Sequence, residues 1–329
     1  MVRIGIPRAL LYYQYYPMWR TFFEALGAEV VVSPPTTQAA LSAGSARVVI
    51  DTCLPVKVYC GHVTTLVDSC DYLFIPVVRS VKRRVYNCAK FLGLPDMVRA
   101  VIPGAPPILD IEIDLNRGKG RLYRAIYRLG RHLTWHPGRV RQAALAAVAA
   151  HQGYRQLMAG RELMAPAAIA CLNGDDQPAP PASSLATIAL VGHPYLLYDE
   201  HLNHRLIHRL QQAGIRVLTP EMATSGELQA ATDRLVGGDY WTYEGEVVGA
   251  GEHYLTRGVD GVIGLMAFGC GPDSVMMDMV RRRAASLGAG AFMCLTLEEH
   301  SAEAGILTRL EAFLDMILRK KRQGVATCV

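Results

Sequence analysis

The sequence predicts an α/β protein with two doubly wound domains of the flavodoxin or Rossmann type, each built on a parallel sheet. Short apolar runs alternate with segments of helical periodicity, which is typical of parallel strands covered by helices on both faces. The succession occurs twice, because the run Ala186–Pro194 resembles the run Val2–Pro7 and each precedes a helix and a further apolar run. The length of 329 residues accommodates two such domains joined by a helical segment.

The first domain is expected at residues 1–104. Its predicted strands are Val2–Ile6, Glu29–Ser33, Ala46–Ile50 and Tyr72–Pro76. A helix through Tyr16 should end before Gly27, because glycine is the usual residue after a helix C-terminus. A short helix is predicted over Thr36–Ser45, and another begins at Pro55, since proline suits the first helical turn.

Residues 105–185 are expected to form a helical segment followed by a flexible linker. The part from Gly118 to Leu163 carries Arg and Ala at helical spacing, which predicts two or three helices. Pro, Gly and Ser are frequent from Cys171 to Ser184, and this composition is typical of a linker.

The second domain is expected at residues 186–329. Its predicted strands are Ala186–Pro194, Ile215–Pro220, Gly261–Ala267 and Ala291–Leu297. Its predicted helices are His201–Gln212, Val275–Val280 and Glu303–Lys320. In both domains we expect ligands at the carboxyl ends of the strands, where open parallel sheets bind them.

The composition is that of a globular protein, with 51% hydrophobic and 19% charged residues and a net charge of +5. No apolar run is long enough to span a membrane, and the first residues predict a strand rather than a signal peptide. We therefore expect a cytoplasmic protein without a membrane partner. The basic clusters lack a nucleic-acid-binding motif, so nucleic acid is not an expected partner. Eight cysteines in a reducing compartment favour metal binding or catalysis over disulfides.

Three cysteines are predicted at helix starts. Cys270, in Phe268–Ser274, follows a buried strand, and Cys53 follows the predicted strand Ala46–Ile50 in the same way. Cys88 follows Asn87, a good helix cap. A helix N-terminus stabilises a thiolate, which can act as a nucleophile or a metal ligand, while a small buried core residue is the alternative. The three thiols could meet across the cleft between the domains as ligands of zinc or an iron–sulfur cluster.

The remaining cysteines are weaker candidates. Cys60 lies two helical turns, about 10 Å, after Cys53, and we retain it as an additional ligand. Cys294, near the carboxyl end of a strand, is another candidate ligand. Core or loop positions are expected for Cys70 and Cys171, and no role is expected for Cys328 in the tail.

Several motifs together resemble one family. They are Asp51–Lys57 with Gly61–His62, Asp71–Pro76, Cys88 with Phe91–Asp96, Gly192–Tyr195 with Tyr198–Glu200, Phe268–Ser274, and Glu299–His300 with Glu303–Gly305. Through them the chain resembles the acyl-CoA dehydratase activase-related proteins, a family named for a domain of unknown function. That family belongs to the wider group of 2-hydroxyacyl-CoA dehydratase subunits and double-cubane cluster proteins. The resemblance extends over both domains, but the Arg-rich segment between them contributes little to it.

The resemblance implies a cytoplasmic, homodimeric iron–sulfur protein with a [4Fe–4S] or double-cubane cluster. Its implied ligands are Cys53, Cys88 and Cys270, which leave one iron of a cubane without a protein ligand. Low-potential electrons would come from an ATP-hydrolysing activator of the actin-like kinase fold, since this chain has no phosphate-binding P-loop of its own. Cys60 departs from the family pattern, and a fourth thiolate there would close the cluster and favour pure electron transfer.

Two other functions remain open. The first is a dehydratase-like enzyme that acts on a 2-hydroxyacyl-CoA at the open iron, and the second is a non-enzymatic cluster carrier or scaffold. Candidate acid–base or hydrogen-bonding groups beside the cluster are His62, His193, His300 and Glu299, with structural histidines as the alternative. Glu299 and Glu303 could form an acid–base pair or cap the last helix. Lys57 and Arg79 could offset the negative charge of the cluster.

Overall fold

The structure is a computed structural model, and it describes residues 1–175, 184–288 and 291–326. The chain divides into two compact units. Unit 1 comprises Met1–Leu157 and Tyr240–Thr242, and unit 2 comprises Met158–Asp239 and Tyr243–Val329. Each unit contains one four-stranded sheet in which every strand pair is parallel. The predicted fold class, two doubly wound parallel α/β domains, is thereby confirmed.

The sheet of unit 1 has the strand order β2-β1-β3-β4. Its strands are β1 (Arg3–Ile6), β2 (Glu29–Val32), β3 (Tyr72–Ser80) and β4 (Ile108–Asp114). The helices from this part of the chain are α1 (Tyr12–Ala25), α2 (Gln38–Ser45), α3 (Leu54–Leu66), α4 (Ala89–Leu92), α5 (Leu94–Val101), α6 (Lys119–Arg131) and α7 (Pro137–Arg161). Helix α1 packs aromatic side chains on the sheet, and the rings of Phe23 and Phe74 lie 4.9 Å apart, edge to face.

The predicted strand Ala46–Ile50 is wrong. These residues form turns between α2 and α3, and the side chains of Val49 and Ile50 are 75% and 83% exposed. The two helices pack backbone against backbone, since a Cβ at Gly44 would lie 1.9 Å from the Lys57 carbonyl oxygen. Cys53 therefore follows a turn between two helices and not a strand.

Strand β4 was not predicted, because residues 105–185 were expected to be helical. Ile and Leu alternate with Asp and Glu along Ile108–Asp114, and this period of two is the signal of a half-buried strand. The helices predicted downstream do form, as α6, α7 and α8 (Ala165–Leu172). Cys171 lies in α8 rather than in a linker, and positions 176–183 of the predicted linker lie outside the described residues.

Unit 2 repeats the topology of unit 1, with the strand order β6-β5-β7-β8. Its strands are β5 (Ala186–Val191), β6 (Ile215–Leu218), β7 (Gly261–Ala267) and β8 (Ala291–Leu297). The helices after α8 are α9 (Pro194–Leu197), α10 (Leu206–Gln212), α11 (Ser225–Val236), α12 (Val248–Thr256), α13 (Gly271–Leu287) and α14 (Glu303–Ala326). Helix α10 begins five residues later than predicted, because Arg205 adopts the left-handed conformation with φ of 59°.

None of the described helices is long and apolar enough to cross a membrane.

The contact between α2 and α3 can be tested by adding one methyl group. We expect Gly44→Ala and Gly61→Ala to destabilise the protein by about 3 kcal/mol, because each new Cβ would meet a backbone carbonyl that cannot move aside. Urea unfolding measures the change. Gly153→Ala in α7 is the control: a Cβ there meets nothing within 4 Å, so this variant should be slightly more stable than the wild type. Unchanged stability of the first two variants would contradict the described packing.

Candidate functional site

Three cysteines occupy the N-cap positions of helices. Cys53 precedes α3, Cys88 precedes α4 and Cys270 precedes α13. Proline lies within the first two positions of α3 and of α13, where its missing N–H costs nothing. Each sulfur therefore lies at a helix start, where the first backbone N–H groups have no partner within the helix.

Unit 1 brings two of these thiols close to each other. Cys53 is buried, with 8% of its surface exposed, and Cys88 is half-buried. Burial raises the pKa of the Cys53 thiol above its ordinary value, the Lys90 ammonium group opposes this by charge and by a hydrogen bond, and a charge on Cys88 raises it further. A backbone hydrogen bond from Val56, in the first turn of α3, also lowers the pKa of Cys53, so that a thiolate on Cys53 would meet both this N–H group and the Lys90 cation.

The position of Cys88 depends on Asn87. The Asn87 backbone N–H donates to the Arg79 carbonyl at 2.8 Å, and its side-chain amide donates to the Val78 carbonyl at 3.1 Å. Its side-chain oxygen accepts from the Cys88 N–H at 2.9 Å. Asn87 was expected to cap the helix, but Cys88 occupies that position and Asn87 ties the preceding loop to the end of β3.

Unit 2 contains an ion cluster formed by His193, Glu246 and Asp273, the last of which lies three residues after Cys270. His193 follows β5, and its Nδ1 lies 2.7 Å from Glu246 Oε2 while its Nε2 lies 3.1 Å from Asp273 Oδ1. Burial by itself would lower the pKa of His193, but the two carboxylates outweigh it and raise the pKa to about 10. His193 is therefore an imidazolium at neutral pH, held between two acids.

Asp273 connects this cluster to the strand that leads to Cys270. It lies in the first turn of α13 and is almost fully buried. Its Oδ2 accepts from the backbone N–H of Ala267, the last residue of β7, at 3.3 Å. Asp273 was not among the predicted site residues, although it belongs to the motif around Cys270. Glu246 was not predicted either, because it meets His193 only in the folded unit and carries no signal of its own in the sequence.

The two units are equivalent in a different way from that predicted. The sequence pattern paired Cys53 with Cys270, but β7 corresponds by strand order to β3, and the cysteine that follows β3 is Cys88. The helix pair α2–α3 corresponds to α11–α12, which also pack closely, because a Cβ at Gly249 would lie 2.6 Å from the Leu228 carbonyl oxygen. The position that corresponds to Cys53 is then the segment before α12, which contains Glu246.

The other predicted acid–base residues, His62 and His300, have contacts with side chains other than those of the three cysteines. His62 is buried on α3, where its Nδ1 lies 2.8 Å from Ser33 Oγ and its Nε2 lies 2.9 Å from Thr36 Oγ1. Burial lowers the pKa of His62 to about 4, so the ring is neutral at pH 7. Both ring nitrogens have hydrogen-bond partners. His300 is 87% exposed and lies 3.9 Å from the Glu299 carboxylate, in the loop before α14.

The other charged candidates have partners of their own. Glu303 begins α14 and forms an ion pair with Arg209. Arg79 lies 2.8 Å from Glu112 on the neighbouring strand, and Lys57 is buried on α3. The ion pair gives Glu303 a structural role. Lys57 places a cation in the buried part of α3, the helix that begins after Cys53.

The two additional ligand candidates differ in exposure. Cys60 is fully buried within α3, and burial raises its pKa to about 11. Cys294 is half-buried in β8, opposite Gly264 of β7, and burial again raises its pKa. Cys70 donates a hydrogen bond to the Leu66 carbonyl at 3.3 Å as a core residue, whereas Cys328 lies outside the described residues.

A metal-binding group is not preformed in the part of the chain that the structure describes. No three His, Cys, Asp or Glu side chains in residues 1–175, 184–288 and 291–326 lie close enough together to hold a metal ion. Unit 1 offers the thiol pair of Cys53 and Cys88, and the third predicted ligand, Cys270, belongs to unit 2.

The ion cluster predicts a specific pH dependence of stability. The pKa of His193 is about 10 in the folded protein, against an ordinary value of 6.5. Between these two pH values the folded protein keeps a proton on His193 that the unfolded chain has already released. The stabilisation by His193 is therefore fully present below pH 6.5 and is lost as the pH rises towards 10. We expect His193→Gln to remove this loss and to cost about 3 kcal/mol at pH 6, because it leaves the buried carboxylate of Asp273 and the half-buried carboxylate of Glu246 without a cation.

Urea unfolding of the wild type and of His193→Gln between pH 6 and 10 measures the difference. The cysteines also titrate in this range, but they are the same in both proteins and cancel in the comparison. His300→Gln, at an exposed position, is the control and should follow the wild-type pH profile. Parallel profiles for the wild type and His193→Gln would contradict the charged state of His193.

Comparison with known proteins identifies a family. The sequence model described as the CoA enzyme activase uncharacterised domain (DUF2229) matches residues 3–223, a range that contains Cys53, Cys88 and His193 but not Cys270. Comparison with curated proteins yields no match. The predicted resemblance to activase-related proteins is confirmed at this level, and because the match covers well over half of the 329 residues, the chain belongs to the family of the CoA enzyme activase uncharacterised domain.

Proposed function

We propose that the protein is an iron–sulfur redox protein that carries a [4Fe–4S] or double-cubane cluster on the thiolates of Cys53, Cys88 and Cys270. The observation that carries this proposal is the placement of all three cysteines at the N-cap positions of helices. Thiolates are the usual ligands of such clusters. Three cysteines in one local role are more economically explained as ligands than as separate nucleophiles.

The residues of unit 1 suit an anionic group. Cys53 is nearly excluded from water and lies with Cys88 beside the Lys90 ammonium group, and Lys57 adds a buried cation on α3. Cys53 and Cys270 lie at the positive dipole ends of the long helices α3 and α13, and for Cys53 this opposes the effect of burial, which raises the pKa of the thiol. When bound, the cluster would supply low-potential one-electron chemistry.

We further propose that the electrons come from an ATP-hydrolysing activator of the actin-like kinase fold and that the protein works as a homodimer. The description of the family as a CoA enzyme activase domain supports an ATP-dependent system. In this proposal the partner hydrolyses the ATP, in keeping with the lack of a P-loop motif in the sequence of this chain. The chain's own part is to hold the cluster, shield it from water and pass electrons to a substrate or a second protein.

Anaerobic purification with iron and sulfide analysis tests the cluster. We expect a coloured protein with an iron–sulfur absorption spectrum, and we expect Cys53→Ser, Cys88→Ser and Cys270→Ser each to lose most of the iron, because each removes a ligand. Cys171→Ser is the matched control, since Cys171 is half-buried in α8 and has no proposed role. A colourless protein without iron after anaerobic reconstitution would contradict the proposal, as would equal iron loss in the control.

The second candidate is a dehydratase-like enzyme that acts on a 2-hydroxyacyl-CoA at an iron without a protein ligand. The family description, which names CoA enzymes, favours it. We expect such substrates to shift the cluster spectrum and to be dehydrated when activator and ATP are present. Turnover abolished by Cys88→Ser and retained by Cys171→Ser would support this candidate, and a spectrum unchanged by CoA esters without turnover would leave electron transfer as the function.

A further inference from the structure

A strongly basic stretch of the chain has no part in the proposed redox function. Between Asp114 and Glu162 the sequence contains many Arg residues and no Asp or Glu. The stretch comprises α6 and α7, which cross closely at Gly130, where a Cβ would lie 2.7 Å from the Val140 side chain. Such an excess of one charge needs either solvent or an anionic ligand to balance it.

A groove of about 490 Å³ lies within unit 1 between β4 and α6. One wall is formed by Asp110, Glu112 and Asp114, which share a face of β4 because alternate residues of a strand point the same way. The facing wall carries arginines of α6. This size is in the range of pockets that hold small organic ligands.

The acidic wall is already neutralised by other cations. Arg99 lies 2.9 Å from Asp110, and Arg79 lies 2.8 Å from Glu112. Arg117, just before α6, lies 3.2 Å from Glu112 and 3.3 Å from Asp114. Every carboxylate on this wall therefore has an arginine partner that is not on α6.

The arginines of α6 remain without acidic partners among the described residues. Arg121, Arg124 and Arg128 all line the groove and are exposed. Their spacing of three and four residues places them on one face of the helix, over a length of about 10 Å. Arg124 is oriented by a hydrogen bond of 3.4 Å from its Nε to the Gly120 carbonyl.

We infer that this groove binds a small molecule with two or more phosphate groups. Guanidinium groups bind phosphate oxygens through paired, directional hydrogen bonds, and three on one helix face match several phosphates in a row. The acidic wall limits the size of the ligand, because a long nucleic acid leaving the groove across β4 would meet Asp110 and Glu112. A compact anion lies against α6 alone.

Calorimetric titration of the full, anaerobically purified chain with ADP and with inorganic pyrophosphate at low ionic strength tests this inference. We expect both probes to bind and Arg124→Gln/Arg128→Gln to weaken each by at least tenfold. The matched control is Arg139→Gln/Arg141→Gln, which removes the same charge from exposed positions of α7 outside the groove and should change the affinity by less than twofold. Iron content should be equal in all variants, which separates this test from that of the cluster.

Each result decides the inference. Equal affinity for the two probes, or tighter binding of ADP, supports it, and the second result adds recognition of the nucleoside. Equal losses in both double variants would indicate a diffuse effect of net charge and would overturn it. Failure of both probes to bind would overturn it too. The inference would also be overturned if a single-stranded RNA oligonucleotide bound more tightly than ADP and its affinity fell equally in both double variants.

Discussion

Parallel strand pairing is the constraint on which the rest of each unit depends. It places all carboxyl ends at one edge of the sheet, so that segments far apart in sequence must begin their helices beside one another. In unit 1 the loop after β3, held to the strand by Asn87, presents Cys88 close to Cys53. In unit 2 the same edge collects His193, Asp273 and Glu246.

The two units share a topology but use the shared positions for different chemistry. Unit 1 has two thiols and a lysine where unit 2 has an imidazolium between two carboxylates, and both units retain a cysteine after the third strand of the sheet. Two units with one topology can thus keep one cysteine position in common and differ in the rest. The ion cluster also gives unit 2 a fixed charge distribution at neutral pH, because the pKa of His193 lies far above 7.

Periodicity and caps allowed the fold class and most strands to be predicted, including Ala291–Leu297 with its observed bounds. The error at Ala46–Ile50 arose because Val and Ile favour strands locally, whereas the close approach of Gly44 to α3 leaves only a turn there. The helix starts at the three cysteines followed from local signals such as Pro55 and Pro272. Glu246 could not be predicted, because its contact with His193 spans more than fifty residues and exists only in the folded unit.

The contact of Gly44 with the Lys57 carbonyl has a consequence for how unit 1 varies. Because main chain meets main chain, the distance between α2 and α3 is independent of the size of the side chains on either helix. Cys53, the N-cap residue of α3, inherits its position from this contact together with the packing of α3, which is buried along most of its length. A larger residue at Gly44 or Gly61 would push α3 away from α2 and carry the Cys53 thiol with it, even if every other side chain of the two helices were unchanged.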